Sequence, residues 1–89
     1  MRAVITVVGK DTMGIIAKIS DVCKSHDVNI LDISQSILSE FFCMIMIVDI
    51  SESKAKFTDF VDNMEAIGKG MGLSIHVMHE DIFNSMHRI

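Results

Sequence analysis

The sequence predicts an α+β fold in which two helices lie on one face of a four-stranded antiparallel sheet. Three observations carry that prediction. Helix-period stripes alternate with β-branched or alternating runs in the order strand, helix, strand, strand, helix, strand. Only Ser39-Glu40 separates the two central strands, which makes them an antiparallel hairpin. The 89 residues suffice for a single domain, 1–89. By surface scaling the folded chain exposes about 5,200 Å² against about 14,400 Å² unfolded, enough burial for one helix layer on one sheet.

The elements follow in order. Ala3 to Val8 is a β-branched run stopped by Gly9 and predicts the first strand. Gly9 to Gly14 forms a loop. Ile15, Ile16, Ile19, Val22 and Cys23 then recur at three- and four-residue steps between polar residues, an amphipathic helix. Asp11 or Thr12 is expected to cap its start, because a short side-chain oxygen accepts the orphan amide hydrogens of a first turn. His26-Asp27 ends it. Val28 to Leu38 predicts a second strand, with Leu31, Ile33 and Ile37 on one side and Asp32, Ser34 and Ser36 on the other. Phe41 to Ile50 predicts a third strand that is apolar on both faces. Phe42, Met44, Met46, Val48 and Ile50 form one face, and Phe41, Cys43, Ile45 and Ile47 the other.

Ser51-Glu52-Ser53 is expected to cap a second helix with the stripe Phe57, Phe60, Val61, Met64 and Ile67, and Gly68, Gly70 and Gly72 to stop it. Leu73, Ile75 and Val77 alternate with Ser74, His76 and Met78 in a fourth strand. Residues 80–89 predict a short terminal helix, with the stripe Ile82, Phe83, Met86 and Ile89. Glu80-Asp81 stands at its start and His87-Arg88 at its end, the signs that a helix dipole favours. Two interlocked right-handed crossovers in one antiparallel sheet give the ferredoxin-like βαββαβ sandwich. Both helices then cover one sheet face, and the apolar residues on the other face of strand three need a different cover. That cover is expected from a second subunit or the terminal helix.

Composition excludes several classes. The longest uncharged apolar run, Phe41 to Val48, is far short of the roughly 20 residues that span a bilayer. No small-residue cleavage site follows an apolar N-terminal stretch, so no secretory signal is expected. A net charge of −4 argues against nucleic acid as a partner. Two cysteines, Cys23 and Cys43, make neither a disulfide scaffold nor a zinc finger, and a reducing cytoplasmic location is expected.

The loop after strand one discriminates among activities. A soft-metal carrier of this shape would place Cys-x-x-Cys there, where this chain has Asp11, Thr12, Met13 and Gly14. An RNA-binding sheet would need stacking aromatics with basic neighbours, and strand one has no aromatic residue. A loop that ends in glycine at a helix start suits a small anion, because free amide hydrogens and the dipole point at it. The competing reading is that Asp11 only caps and Gly14 only turns the chain.

The run Gly9-Lys10-Asp11-Thr12-Met13-Gly14-Ile15-Ile16-Ala17, followed by Val28-Asn29-Ile30, resembles an ACT domain. Such domains begin with Gly-x-Asp-x-x-Gly-Ile-(Val/Ile)-Ala and open strand two with Asn-Ile. The likeness spans Ala3 to about His79, and the tail is similar to that of stand-alone ACT-domain proteins. It implies a small-molecule ligand, an amino acid, held where two copies meet. Asp11, Thr12, Met13 and Gly14 would contact the ligand's carboxylate or amine, and Asn29 and Ile30 would line the other wall. Many ligand-binding members carry proline just before the glycine, where this chain has Met13, so this loop is less stiff.

Other residues read as structural. His76 and His79 are three apart, so on a strand they point to opposite faces and cannot chelate one ion. No metal or cofactor is expected. Cys23 sits late in its helix, where the dipole disfavours a thiolate, and both cysteines read as core or interface residues. Met44, Met46 and Met64 fall in core stripes, whereas Met71, Met78 and Met86 are expected to pack the terminal helix. No nucleophile has a paired base, so no enzyme is expected. The sequence thus predicts a regulatory, small-molecule-sensing domain that works as a homodimer or higher homo-oligomer, with no nucleic acid or membrane partner. The alternative is a ligand-free dimerisation module that docks on a partner protein.

Overall fold

The computed structural model of the chain describes residues 1–10, 14–54 and 56–86. Its elements are β1 (Arg2–Lys10), α1 (Ile15–Ser25), β2 (Asn29–Leu38), β3 (Phe41–Asp49), α2 (Phe57–Met71), β4 (Ser74–His79) and α3 (Glu80–Met86). The sheet is antiparallel throughout, in the order β2-β3-β1-β4. This is the predicted ferredoxin-like arrangement, in which β1 lies between β3 and β4.

The register shows which side chains share a face, because strand side chains alternate with period two. Ala3, Ile5 and Val7 of β1 stand beside Val48, Met46 and Met44 of β3 and point at the helices. Ile15, Ile19, Val22 and Cys23 of α1 and Phe60 and Met64 of α2 close this core. Of the two predicted β3 faces, the one with Phe42, Met44, Met46, Val48 and Ile50 is buried. At roughly 1.5–3 kcal/mol for each large apolar side chain, this layer is the main source of stability.

Both long helices end in the same way. In α1, Val28 N–H donates to Cys23 O and Asp27 N–H to Lys24 O, with Asp27 left-handed at φ 57°. In α2, Leu73 N–H donates to Gly68 O and Gly72 N–H to Lys69 O, with Gly72 at φ 72°. Paired bonds of this kind satisfy the orphan carbonyls of a helix end.

Gly14 occupies the position before α1, and the expected capping residues Asp11 and Thr12 lie outside the described residues. Several expectations are corrected. Ser51 to Ser53 do not cap α2, whose capping position is Lys56. Ser51 instead takes a hydrogen bond from the N-terminal amine at 2.7 Å and donates its own N–H to Asp49. Gly68 and Gly70 do not stop α2; they lie within it, and Gly72 is the stop. Gly68 is buried because β4 crosses there: a Cβ on it would sit 2.9 Å from Ile75 Cγ1. Met71 packs on the main core, not on the terminal helix.

The remaining corrections concern the sheet surface. On β2, Ile33 and Ile37 pair with Met46 and Phe42 on the helix side, yet helix contact on this edge strand favours its Ile30 end, and Ile33 and Ile37 are 38% and 60% exposed. Leu31 falls at a register break between Ile30 and Asp32. On the opposite face, Val4 is only 3% exposed although it lies outside the main core. Its cover is α3, which packs against β1 and β4. The terminal helix thus covers one end of the open face and leaves Val8, Phe41 and Ile45 exposed. His87, Arg88 and Ile89, expected at the end of this helix, lie outside the described residues.

Candidate ligand site at the two ends of the first helix

Gly14 forms the start of α1 with φ 82° and ψ 8°, a left-handed conformation that glycine adopts without Cβ strain. It is exposed, and a Cβ placed on it would meet nothing within 4 Å. Among the described residues the first turn carries no carboxylate and no side-chain cap. The amide hydrogens and the positive dipole end of a helix start suit an anionic group. Ile15 is buried and anchors the turn from below. Asp11, Thr12 and Met13, the other predicted residues of this loop, lie outside the described residues.

Asn29 and Ile30 stand elsewhere. Asn29 is exposed at the start of β2 opposite Asp49, and Ile30 is half-buried against the core. Asn29 follows the C-terminal end of α1, while Gly14 precedes its N-terminal end. An 11-residue helix separates them by roughly 16 Å. The sheet gives the same answer: Asn29 and Asp49 share a rung level with Arg2, whereas Gly9 and Lys10, which lead towards Gly14, pair with Phe42 and Phe41 at the far end of β3. One protomer does not bring the two halves of the predicted site together.

Sequence reasoning missed the surroundings of Asn29. A cleft of about 440 Å³ opens there between Lys24, Asp27, Val28, Asn29, Asp49 and Glu52. Its lining sets three carboxylates, Asp27, Asp49 and Glu52, against the Lys24 ammonium, with the N-terminal amine beside Asp49 as a second cation. Asp49 is held below the ordinary carboxylate value, first by the Ser51 hydroxyl and backbone hydrogen bonds and also by the N-terminal amine, 3.7 Å away. It therefore stays ionised at neutral pH, and the cleft suits a cationic group. These residues come from the end of α1, the start of β2, the end of β3 and the segment after it, and no local motif joins them.

The edge strand bears on the same question. β2 is ten residues long and exposed along nearly its whole length, with Asp32 its only charged residue. Long flat edges offer unpaired amide and carbonyl groups to another strand, and chains commonly blunt them with lysine or proline. β2 has neither.

Comparison with known proteins places the fold. The family model for the ACT domain matches residues 2–78. A UPF0237 protein of Methanocaldococcus jannaschii is 48% identical over 88 residues, covering 99% of this chain and 98% of its own. The solved structure of an ACT domain protein from Streptococcus pneumoniae superposes with a TM-score of 0.81 at 41% identity, covering 93% of each chain. A formyltetrahydrofolate deformylase of Pseudomonas putida shares the fold alone, with a TM-score of 0.77 at 6% identity over 89% of this chain and 29% of its own.

Proposed function

Because this chain belongs to the ACT domain family, we propose that it is a regulatory module that binds an amino acid in a site built by two copies of the chain. The observation that carries this reading is the separation of Gly14 from Asn29 along α1, beside the bare edge of β2. Two β2 strands that pair about a two-fold axis run antiparallel, so the start of each meets the end of the other. The partner's Asn29 then arrives at the end of the sheet where Gly14 stands. The exposed backbone of β2 is satisfied by the same contact.

The chemistry of the two halves supports an amino acid. The start of α1 takes a carboxylate, and the acidic wall around Asn29 takes an ammonium group. An amino acid carries both. Asp11, Thr12 and Met13 complete the loop half of this site, and Ile30 gives the other half an apolar floor. Two unpaired cysteines, Cys23 and Cys43, fit a reducing cytoplasmic setting. The output is linkage: a ligand shared by two subunits strengthens their association and changes the surface they offer to a partner.

A thermal-shift screen of the twenty amino acids tests this reading. A ligand at 100 times its dissociation constant adds about 2.7 kcal/mol to the folded state. For a chain this short that is a rise on the order of 10 °C. Gly14→Val, which closes the anion end and strains φ, should abolish the rise. A melt that no amino acid moves would favour a ligand-free dimerisation module instead. A rise that survives Gly14→Val would place the ligand elsewhere.

A further inference from the structure

The helix side of β2 carries a row of side chains, Ile30, Ile33, Gln35 and Ile37, which pair with Val48, Met46, Met44 and Phe42 of β3. The cover over this row thins along the strand. Ile30 is half-buried against the core, Ile33 is 38% exposed and Ile37 is 60% exposed. The bare end is the Gly14 end, because Ile37 pairs with Phe42, and Phe42 pairs with Gly9 on the strand that leads to Gly14. The row also holds no charge. Asp32, the one charged residue of β2, pairs with Ile47 and so stands on the opposite face.

Given the two-copy site proposed above, we infer that this row selects its ligand, which is an amino acid with an uncharged, apolar side chain of about leucine size, laid on Ile37. Three observations select that occupant. Pairing of one β2 with another satisfies backbone groups in the plane of the sheet. It adds no layer above the sheet, so Ile33 and Ile37 stay bare on the helix side. Ile37 and Gly14 stand at the same end of the sheet, so a ligand with its carboxylate at the start of α1 has its side chain beside Ile37. The antiparallel pairing also brings the partner's Ile30 towards Ile37 and widens the apolar floor. A charged side chain placed on this row would lose its water and find no opposite charge in it, whereas an apolar one gains by burial. The acidic cleft beside the partner's Asn29 takes the ligand's own ammonium group, so it does not call for a second positive charge.

Titration calorimetry on the wild-type chain and on Ile37→Ala tests the proposal, with leucine, alanine, glutamate and lysine as probes. All four present the same carboxylate and ammonium groups and differ only in the side chain. Ile37 is exposed, so its truncation should leave the circular dichroism unchanged. Each buried methylene is worth roughly fourfold in affinity. Leucine, with its longer side chain, should therefore bind the wild type at least about tenfold tighter than alanine does, and glutamate and lysine should bind more weakly than leucine. Ile37→Ala should weaken leucine roughly tenfold and alanine less than about threefold. If alanine, glutamate or lysine binds as tightly as leucine, the inference falls while the shared site stands. The same holds for an Ile37→Ala that leaves leucine unaffected or weakens leucine and alanine by one factor, and for a thermal response confined to polar amino acids. No response to any of the twenty amino acids removes the shared site and this inference with it.

Discussion

Arg2 on β1 grips Glu80 at the first residue of α3 through two parallel bonds. Its Nε donates to Glu80 Oε2 at 2.8 Å and its Nη2 donates to Oε1. The pair ties the terminal helix to the strand whose Val4 it covers. Forked guanidinium–carboxylate pairs fix orientation better than a single contact does. Lying at the surface, the pair acts on the attachment of α3 far more than on global stability.

The first prediction is a pH dependence of that attachment. The Arg2 hydrogen bond holds the Glu80 carboxyl below its ordinary value of 4.5. A carboxyl with a depressed folded-state value stabilises the attached form above its unfolded value and stops doing so as pH falls through the folded one. Amide exchange in residues 80–86 should therefore be slow at neutral pH and accelerate below about pH 4.5, relative to the core strands. Glu80→Gln should show the fast exchange already at neutral pH, with no further change in that acid range. Equal acid sensitivity in Glu80→Gln would show that another group sets the attachment.

A second prediction concerns two glycines of α2 that should respond with opposite signs. A Cβ added at Gly70 would meet nothing within 4 Å, so Gly70→Ala should stabilise by roughly 0.5–1 kcal/mol through helix propensity. At Gly68 a Cβ would stand 2.9 Å from Ile75 Cγ1 and 3.1 Å from Leu73 O. Gly68→Ala should cost about 1–3 kcal/mol despite the same propensity gain. Urea denaturation of both variants measures the two values.

The third prediction contrasts two substitutions at one position of β3. Met46 is fully buried under the helices, and Met46→Ala should cost about 2–5 kcal/mol. Met46→Leu keeps the volume and should cost less than about 1.5 kcal/mol. Chemical denaturation at fixed protein concentration reads both, and a small cost for Met46→Ala would contradict the placement of the core.

These contrasts show what the chain's residues disclose and what they hide. The two faces of β3 are legible because alternation gives each face its own set, but that Phe42 to Ile50 is the buried set follows from the side on which the helices pack. The role of Gly68 is hidden because a glycine inside a helix and a glycine after it look alike until β4 is seen to cross there. The exposure of Ile33 and Ile37 is hidden because alternation shows a side and not whether a helix reaches it. At the site, Gly14 is legible from its loop, and Asn29 enters with the family resemblance. Their separation is not legible, since it follows from the course of α1. The acidic surroundings of Asn29 gather Lys24, Asp27, Asp49 and Glu52 from separate segments, which only the fold brings together.

The fourth prediction bears on the shared site itself and is its most direct test. Chains with Gly14→Val and chains with Asn29→Ala are each expected to lose binding of the amino acid that stabilises the wild type. In a two-fold dimer that mixes them, one site combines the intact Gly14 of one chain with the intact Asn29 of the other. Co-refolding the two in equal amounts should restore about a quarter of the wild-type binding capacity, because half of the dimers are mixed and each carries one intact site. Titration calorimetry on the mixture reads that capacity. A quarter restored is the predicted result, and a mixture as inert as its two components would contradict a site shared between subunits.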